Sequence, residues 1–143
     1  MTLERSDEIA ELLQSARTVA LVGASANPAR ASFGVMRFLQ QRGHKVVPVN
    51  PGLAGQQLLG ETVVATLADA GPVDMVDIFR NSEAAGPVVD EAIAAGAKAV
   101  WMQLGVVNEA AAERAEAAGL KVVMDRCPKI EAARLGLGRL AEA

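Results

Sequence analysis

The chain is poor in the groups on which several chemistries depend. Among 143 residues it holds one cysteine, one histidine and one tryptophan, and 3% of the residues are aromatic. A lone thiol, Cys127, closes no internal disulfide and does not by itself build a zinc site. Positive charge is also scarce: 14 Lys and Arg against 17 Asp and Glu leave a net charge of −3. No basic stripe with interleaved aromatics compensates, so the general attraction that holds a protein to nucleic acid is missing. No apolar run approaches the roughly 20 residues of a membrane-spanning helix. The amino terminus, Met1-Thr-Leu-Glu-Arg-Ser-Asp-Glu8, is charged where a signal peptide needs an apolar centre. The expectation is a cytoplasmic protein with neither membrane nor nucleic acid as partner.

What is present is ordinary for a packed protein, 51% hydrophobic and 22% charged residues, at a length that fits one domain over residues 1–143. The stretch Thr18-Val-Ala-Leu-Val-Gly23-Ala-Ser-Ala-Asn27-Pro-Ala-Arg30-Ala-Ser32 organises the rest. A run rich in β-branched residues ends in glycine, passes through small and polar residues, and enters a helical pattern at Ser32. Such a corner leaves backbone N–H groups unpaired and aims the positive end of a helix dipole at one spot, a seat for phosphate.

The remaining chain alternates. Ile9, Leu12, Leu13 and Ala16 mark an amphipathic helix over 5–16. Strands are predicted at 18–22, 45–49, 73–79, 97–102 and 120–124, with helices from Ser32 to Gly43, from Asn81 or Ser82 to about Ala95, from Asn108 to Ala118, and from about Lys129. Residues 53–60 read as a loop able to reach over a ligand. Residues 62–65 read as a short extra strand or an extended link, and 66–70 as a helical turn. This alternation predicts an α/β fold: a three-layer, Rossmann-like parallel sheet of about five strands with helices on both faces.

Ligands of such sheets bind outside the carboxyl ends of the strands, where strand order reverses. Those ends carry Gly23-Ala24-Ser25, Asn50-Pro51, Phe79-Arg80-Asn81, Gln103-Leu104-Gly105 and Asp125-Arg126-Cys127-Pro128. Arg30, Arg80 and Arg126 fall on or just after this rim, and guanidinium forks match phosphate oxygens, so a ligand with several phosphates is expected. Two common nucleotide signatures are absent. The G-x-G-x-x-G corner and the ribose-binding acid of nicotinamide enzymes are replaced by Gly23-Ala-Ser-Ala-Asn-Pro28 and the neutral Asn50, and no Walker lysine follows the first strand.

Five segments together, Gly23-Ala-Ser-x-Asn-Pro28, Val49-Asn-Pro51, Val76-Asp-Ile-Phe-Arg80, Val100-Trp-Met-Gln-Leu-Gly105 and Met124-Asp-Arg-Cys-Pro128, resemble the signatures of the small stand-alone coenzyme A-binding proteins. The fold of that family is similar to the N-terminal CoA-binding domain of the succinyl-CoA synthetase α subunit, and the resemblance covers about residues 10–136. It implies a domain that binds coenzyme A. Matched by position, Gly23, Ala24, Ser25 and Asn27 would wrap the pyrophosphate, with Arg30 and Ser32 at the helix entrance. Val49, Asn50 and Pro51 would border the adenosine. Phe79 and Arg80 match the third strand end. Trp101, Met102, Gln103 and Gly105 lie along the pantetheine path, and Cys127, beside Arg126, matches a cysteine near the thiol end. The synthetases carry a phosphorylated histidine in a second domain that this chain does not contain, so ligase chemistry is not implied.

Several of these residues also have a purely structural reading: Trp101 as core, Asn50-Pro51 as a turn, Gln103 as a cap of nearby backbone, Arg126 as a partner of Asp125, Cys127 as a quiet thiol. His44 reads as structural, and of Asp74 and Asp77, set in an apolar strand, at least one must find a partner or a water. Two functions follow. The first is a module that holds CoA or an acyl-CoA and presents it to, or senses it for, a protein partner. The alternative is a Rossmann-type NAD(P)- or CoA-ester-dependent enzyme, for which the rim offers no acid–base pair or activated nucleophile.

Overall fold

In a computed structural model, which describes residues 2–141, the predicted alternation becomes one parallel sheet. Its elements are α1 (Ser6–Ser15), β1 (Thr18–Val22), α2 (Ala31–Arg42), β2 (Lys45–Val49), the short strands β3 (Gln57–Leu58) and β4 (Glu61–Thr62), β5 (Met75–Ile78), α3 (Ser82–Ala94), β6 (Ala99–Met102), α4 (Glu109–Ala117), β7 (Lys121–Val123) and α5 (Pro128–Arg134). The five-stranded order is β2-β1-β5-β6-β7, every neighbour parallel. The register sets Val22 beside Val49 and Ile78, and Ile78 beside Met102. From β1 the chain moves outward to β2, then returns past β1 to lay down β5. Strand order therefore reverses between β1 and β5, and a crevice opens above their carboxyl ends.

Period-two alternation divides the core. Val19 and Leu21 face a cluster with Ile9 and Leu13 of α1, Val35, Met36 and Leu39 of α2 and Ala132 of α5. Ala20 and Val22 face the other cluster, with Val88 and Val89 of α3 and Ala112 and Ala115 of α4. Residues buried on both faces explain why these strands read as nearly continuous apolar runs. Asp74 finds partners: its Oδ2 accepts from the N–H groups of Arg17 and Thr18 at 2.8 and 3.0 Å, and Lys98 lies 3.5 Å from Oδ1. Burial pushes this carboxyl up, but those donors and the lysine hold it below the usual aspartate range. Asp77 finds none. Fully buried between Leu21 and Trp101 in register, it has both oxygens without a partner among the described residues, and burial raises its pKa well above the ordinary value.

The reading of 53–60 as a loop able to reach over a ligand is corrected for residues 57–58, which form a strand. Gln57 and Leu58 pair antiparallel with Thr62 and Glu61, Leu58 is buried, and Gln40 Nε2 donates to the Leu59 carbonyl at 3.0 Å. One apolar anchor and one hairpin pin the segment beside α2. Residues 62–65 split between β4 and a bridge of Val64 to Val49, which covers the free edge of β2. Residues 68–70 form a 3₁₀ turn. No described helix is long and apolar enough to cross a membrane.

Candidate ligand-binding site

Gly23 ends β1 with φ of +92°, and a Cβ built there would lie 2.2 Å from the Phe79 carbonyl oxygen. Only glycine lets the turn after β1 pass this close to the end of β5. The turn is then fixed from both sides. Gly23 and Ala24 N–H donate to Val49 O at 3.1 and 3.3 Å, Phe79 N–H donates to Val22 O at 2.8 Å, and Asn50 Nδ2 donates to Ala24 O at 2.8 Å. The Asn50 Oδ1 accepts from Gly52 N–H at 2.8 Å. Asn50 thus serves the turn reading and the cleft together: both ends of its amide are spent on holding the loop against the end of β2.

Beyond Gly23 the loop is shaped by its own polar groups. Asn27 N–H donates to Ser25 Oγ at 3.0 Å, and Ala29 N–H to Asn27 Oδ1 at 2.9 Å. The helix that follows has no side-chain cap: Arg30 occupies the N-cap position in an extended conformation. In contrast, Asn81 caps α3 through Ala84 N–H and Asn108 caps α4 through Ala111 N–H. Consequently the N–H groups of Ser25, Ala26, Ala31 and Ser32 have no acceptor among the described residues. They sit at the positive end of the α2 dipole, on the wall of a cleft.

The cleft has two joined arms that share Gly23, Asn50 and Arg80. The first, about 770 Å³, is lined by the loop from Gly23 to Asn27, by Arg30, Ala31 and Ser32, and across from them by Gly52, Leu53, Phe79, Gln103, Leu104 and Val106. The second, about 680 Å³, runs between Val49-Asn50-Pro51, residues 65–67 and the α3 face carrying Ala84, Pro87, Val88 and Glu91. Arg30 and Arg80 are both exposed, and among the described residues neither guanidinium has an ion-pair or hydrogen-bond partner. Gln103, 6% exposed, lines the cleft, and its Oε1, itself buried, has no partner among the described residues.

The expectation that three arginines converge is corrected to two. Arg126 lines a separate depression with Glu4 and Glu109, and its guanidinium bonds Glu131 Oε1 at 3.1 Å. Asp125 is not its partner: Asp125 Oδ1 accepts from Gly105 N–H at 2.7 Å. Trp101 and Met102 are fully buried on opposite faces of β6, outside the cleft lining, because alternate residues of a strand covered on both sides enter the two cores. The Trp101 Nε1–H donates to Arg126 O at 2.8 Å and so ties the β7–α5 turn to β6. Gly105 and Cys127 also lie outside the lining; Cys127, 8% exposed, packs in the α1–α2 core and begins α5. Val49 and Pro51 line the second arm. Leu53, in the segment read as able to reach over a ligand, lines the first arm, whereas Val106 and the α3 face carry no signal in the sequence. Nothing local marks them: Ala84, Pro87 and Glu91 carry an ordinary exposed helical pattern, and only the return of β5 beside β1 brings them to the site.

The strand order and the position of the cleft define a doubly wound α/β protein of Rossmann-like fold with its binding crevice at the switch point. Within that class, residues 17–133 match the model of the CoA binding domain family, and the chain belongs to this family. It is 38% identical over 124 residues, 86% of this chain and 90% of the other, to YneT of Bacillus subtilis. A solved structure from Thermus thermophilus superimposes with a TM-score of 0.87 at 37% identity, covering 92% of this chain and 99% of that one. The dinucleotide-forming acetyl-coenzyme A synthetase 1 of Ca. Korarchaeum cryptofilum matches 78% of this chain over 26% of its own length, with a TM-score of 0.68 and 27% identity.

Proposed function

We propose that the protein binds coenzyme A or an acyl-CoA in the two-armed cleft, as a module that holds the ligand for, or reports it to, a protein partner. One observation carries the reading: four backbone N–H groups, at Ser25, Ala26, Ala31 and Ser32, belong to residues that line a cleft which also holds the guanidinium groups of Arg30 and Arg80, and none of these has a partner among the described residues. Backbone donors, a helix N-terminus and two guanidinium groups suit a diphosphate. Gln103, Phe79, Leu104 and Val106 line a mainly apolar stretch of the first arm that suits the methylenes of the pantetheine chain. Val49, Asn50 and Pro51 border the adenosine in the second arm. Trp101, Met102, Gly105, Arg126 and Cys127 lie outside the lining of both arms and take no direct part in this reading. Membership of the CoA binding domain family and the likeness to an acetyl-coenzyme A synthetase point to the same ligand.

Thermal melts with CoA, NAD and NADP test the reading, because a ligand that binds only the folded chain raises Tm with concentration. CoA should raise Tm and the two nicotinamide cofactors should not. Arg80→Ala should weaken CoA by about 1–3 kcal/mol in calorimetry without lowering the ligand-free Tm. Preference for NAD, or no response to CoA, overturns the assignment.

A further inference from the structure

Two walls of the first arm are built differently. On one, the loop after β1 leaves N–H groups free. On the other, the connection from β6 to α4 has its N–H groups claimed by the rest of the protein. Gly105 N–H donates to Asp125 Oδ1 at 2.7 Å, Val106 N–H to Gln103 O at 2.8 Å, Val107 N–H to Ser82 Oγ at 2.9 Å and Asn108 N–H to Met124 Sδ at 3.4 Å. Ser82 holds the connection at two further points: its hydroxyl donates to Gly105 O at 3.3 Å, and its carbonyl accepts from Asn108 Nδ2 at 3.0 Å. The first residue of α3 and a residue of the turn after β7 thus grip one short segment. The backbone is shaped for it: Asp125 has φ of +59°, in the left-handed region that Asp and Asn enter more readily than other side chains, and Gly105 has φ of +81°.

Neither Ser82 nor Asp125 lines the cleft; what the gripped segment presents there is Leu104 and Val106. Leu104 is a large apolar side chain left 55% exposed. With so little packing of its own, its place is set by the backbone bonds on either side. We infer that Asp125 and Ser82 are positioning residues for the ligand: from outside the cleft they fix the β6–α4 connection so that Leu104 and Val106 stand as a wall of the first arm. The inference rests on the CoA reading above, since the first arm must hold the ligand, but not on which end of the ligand lies there. Asp125 also allows its two possible roles to be told apart by sign. Its carboxylate repels a polyphosphate, so removing the charge alone tightens binding, whereas releasing Gly105 weakens it.

Calorimetry with CoA on the full chain, well below Tm, compares the wild type with Asp125→Ala, Asp125→Asn, Ser82→Ala, Ser82→Thr, Leu104→Ala and the double variant Asp125→Ala with Leu104→Ala. Asp125→Ala should weaken CoA about two- to tenfold, the range of one ordinary hydrogen bond. Asp125→Asn keeps an acceptor and tolerates the same φ, so it should bind at least as tightly as the wild type. Ser82→Ala should weaken CoA by a similar factor, and Ser82→Thr should restore it. Leu104→Ala should also weaken CoA, and in that background the loss from Asp125→Ala should shrink, because the side chain it positions is gone. Tightening by both Asp125→Ala and Asp125→Asn overturns the inference, as does full additivity with Leu104→Ala. A CoA affinity that neither Asp125→Ala nor Ser82→Ala moves, whatever the ligand-free Tm does, overturns it too. All three results leave the CoA reading intact, whereas a wild type that does not bind CoA overturns both.

Discussion

Gly23 shows how much a single residue decides. Its position after an apolar strand was legible in the sequence, but the reason for it was not: the missing side chain is the space through which the Phe79 carbonyl approaches. Gly23→Ala asks a β-carbon to occupy that space at a φ of +92°, which costs the left-handed penalty plus overpacking, together about 2–4 kcal/mol. A denaturant midpoint that moves by less than the error of the measurement would show that β1 and β5 do not meet as described. Asn50 carries a similar lesson. Its neutral side chain counted in the sequence against a nicotinamide site, and the structure adds that the amide NH₂ is needed: a carboxylate there would face the Ala24 carbonyl, which only a donor satisfies. His44 read as structural, and both its ring nitrogens are engaged, Nε2 with Arg42 and Nδ1 with the Ala16 carbonyl.

Among the elements, α2 differs from α3 and α4 in leaving its first turn uncapped. The asparagine caps of α3 and α4 were visible as Asn81 and Asn108 ahead of helical patterns, and Arg30 before α2 was visible as a cation near the rim. What the uncapped turn implies appears only when its donors are seen to face the cleft. Arg30→Asp should therefore act in opposite directions on fold and ligand. A carboxylate at the N-cap accepts from the first-turn N–H groups and stabilises the helix by ~0.5–1 kcal/mol, while it occupies the anion seat and removes a guanidinium. The expected result is a higher ligand-free Tm together with loss of the CoA-dependent rise; a CoA response equal to that of the wild type would remove α2 from the site. The β3–β4 hairpin was not legible as such, because two-residue strands carry no periodicity and Leu58 shows its value only against the core it enters.

At the scale of the whole molecule, a buried clasp gathers distant segments. Arg42, 3% exposed, donates through Nε to Gly138 O, through one terminal nitrogen to Leu13 O and His44 Nε2, and through the other to Gln14 Oε1. Since that arginine donates to Nε2, the His44 Nδ1 carries the proton and donates to Ala16 O at 2.6 Å. Burial first and the Arg42 charge second push the His44 pKa from 6.5 down to about 4. The unfolded chain therefore takes up this proton before the folded one does. Stability falls as pH drops from about 6.5 to about 4, by about 3 kcal/mol in all, and is fully present above that window. Asp77 works with the opposite sign, since a carboxyl whose folded pKa is raised loses stability as pH climbs above its ordinary value. Denaturant unfolding of the wild type and of His44→Gln across this range separates the two: the difference between the proteins should shrink from neutral pH toward pH 4, and a constant difference would contradict the clasp.

The sequence by itself determined the five strands of the main sheet, the five helices, the glycine corner and the rim of strand ends. These follow from periodicity and turn chemistry, which act over a few neighbouring residues. Which rim residues share one cleft was decided only in three dimensions. Trp101 and Met102 went to the two cores, Arg126 to Glu131, and the α3 face came to the cleft. Those outcomes depend on packing and charge pairing between residues far apart in the chain, and strand order alone sets which of them meet.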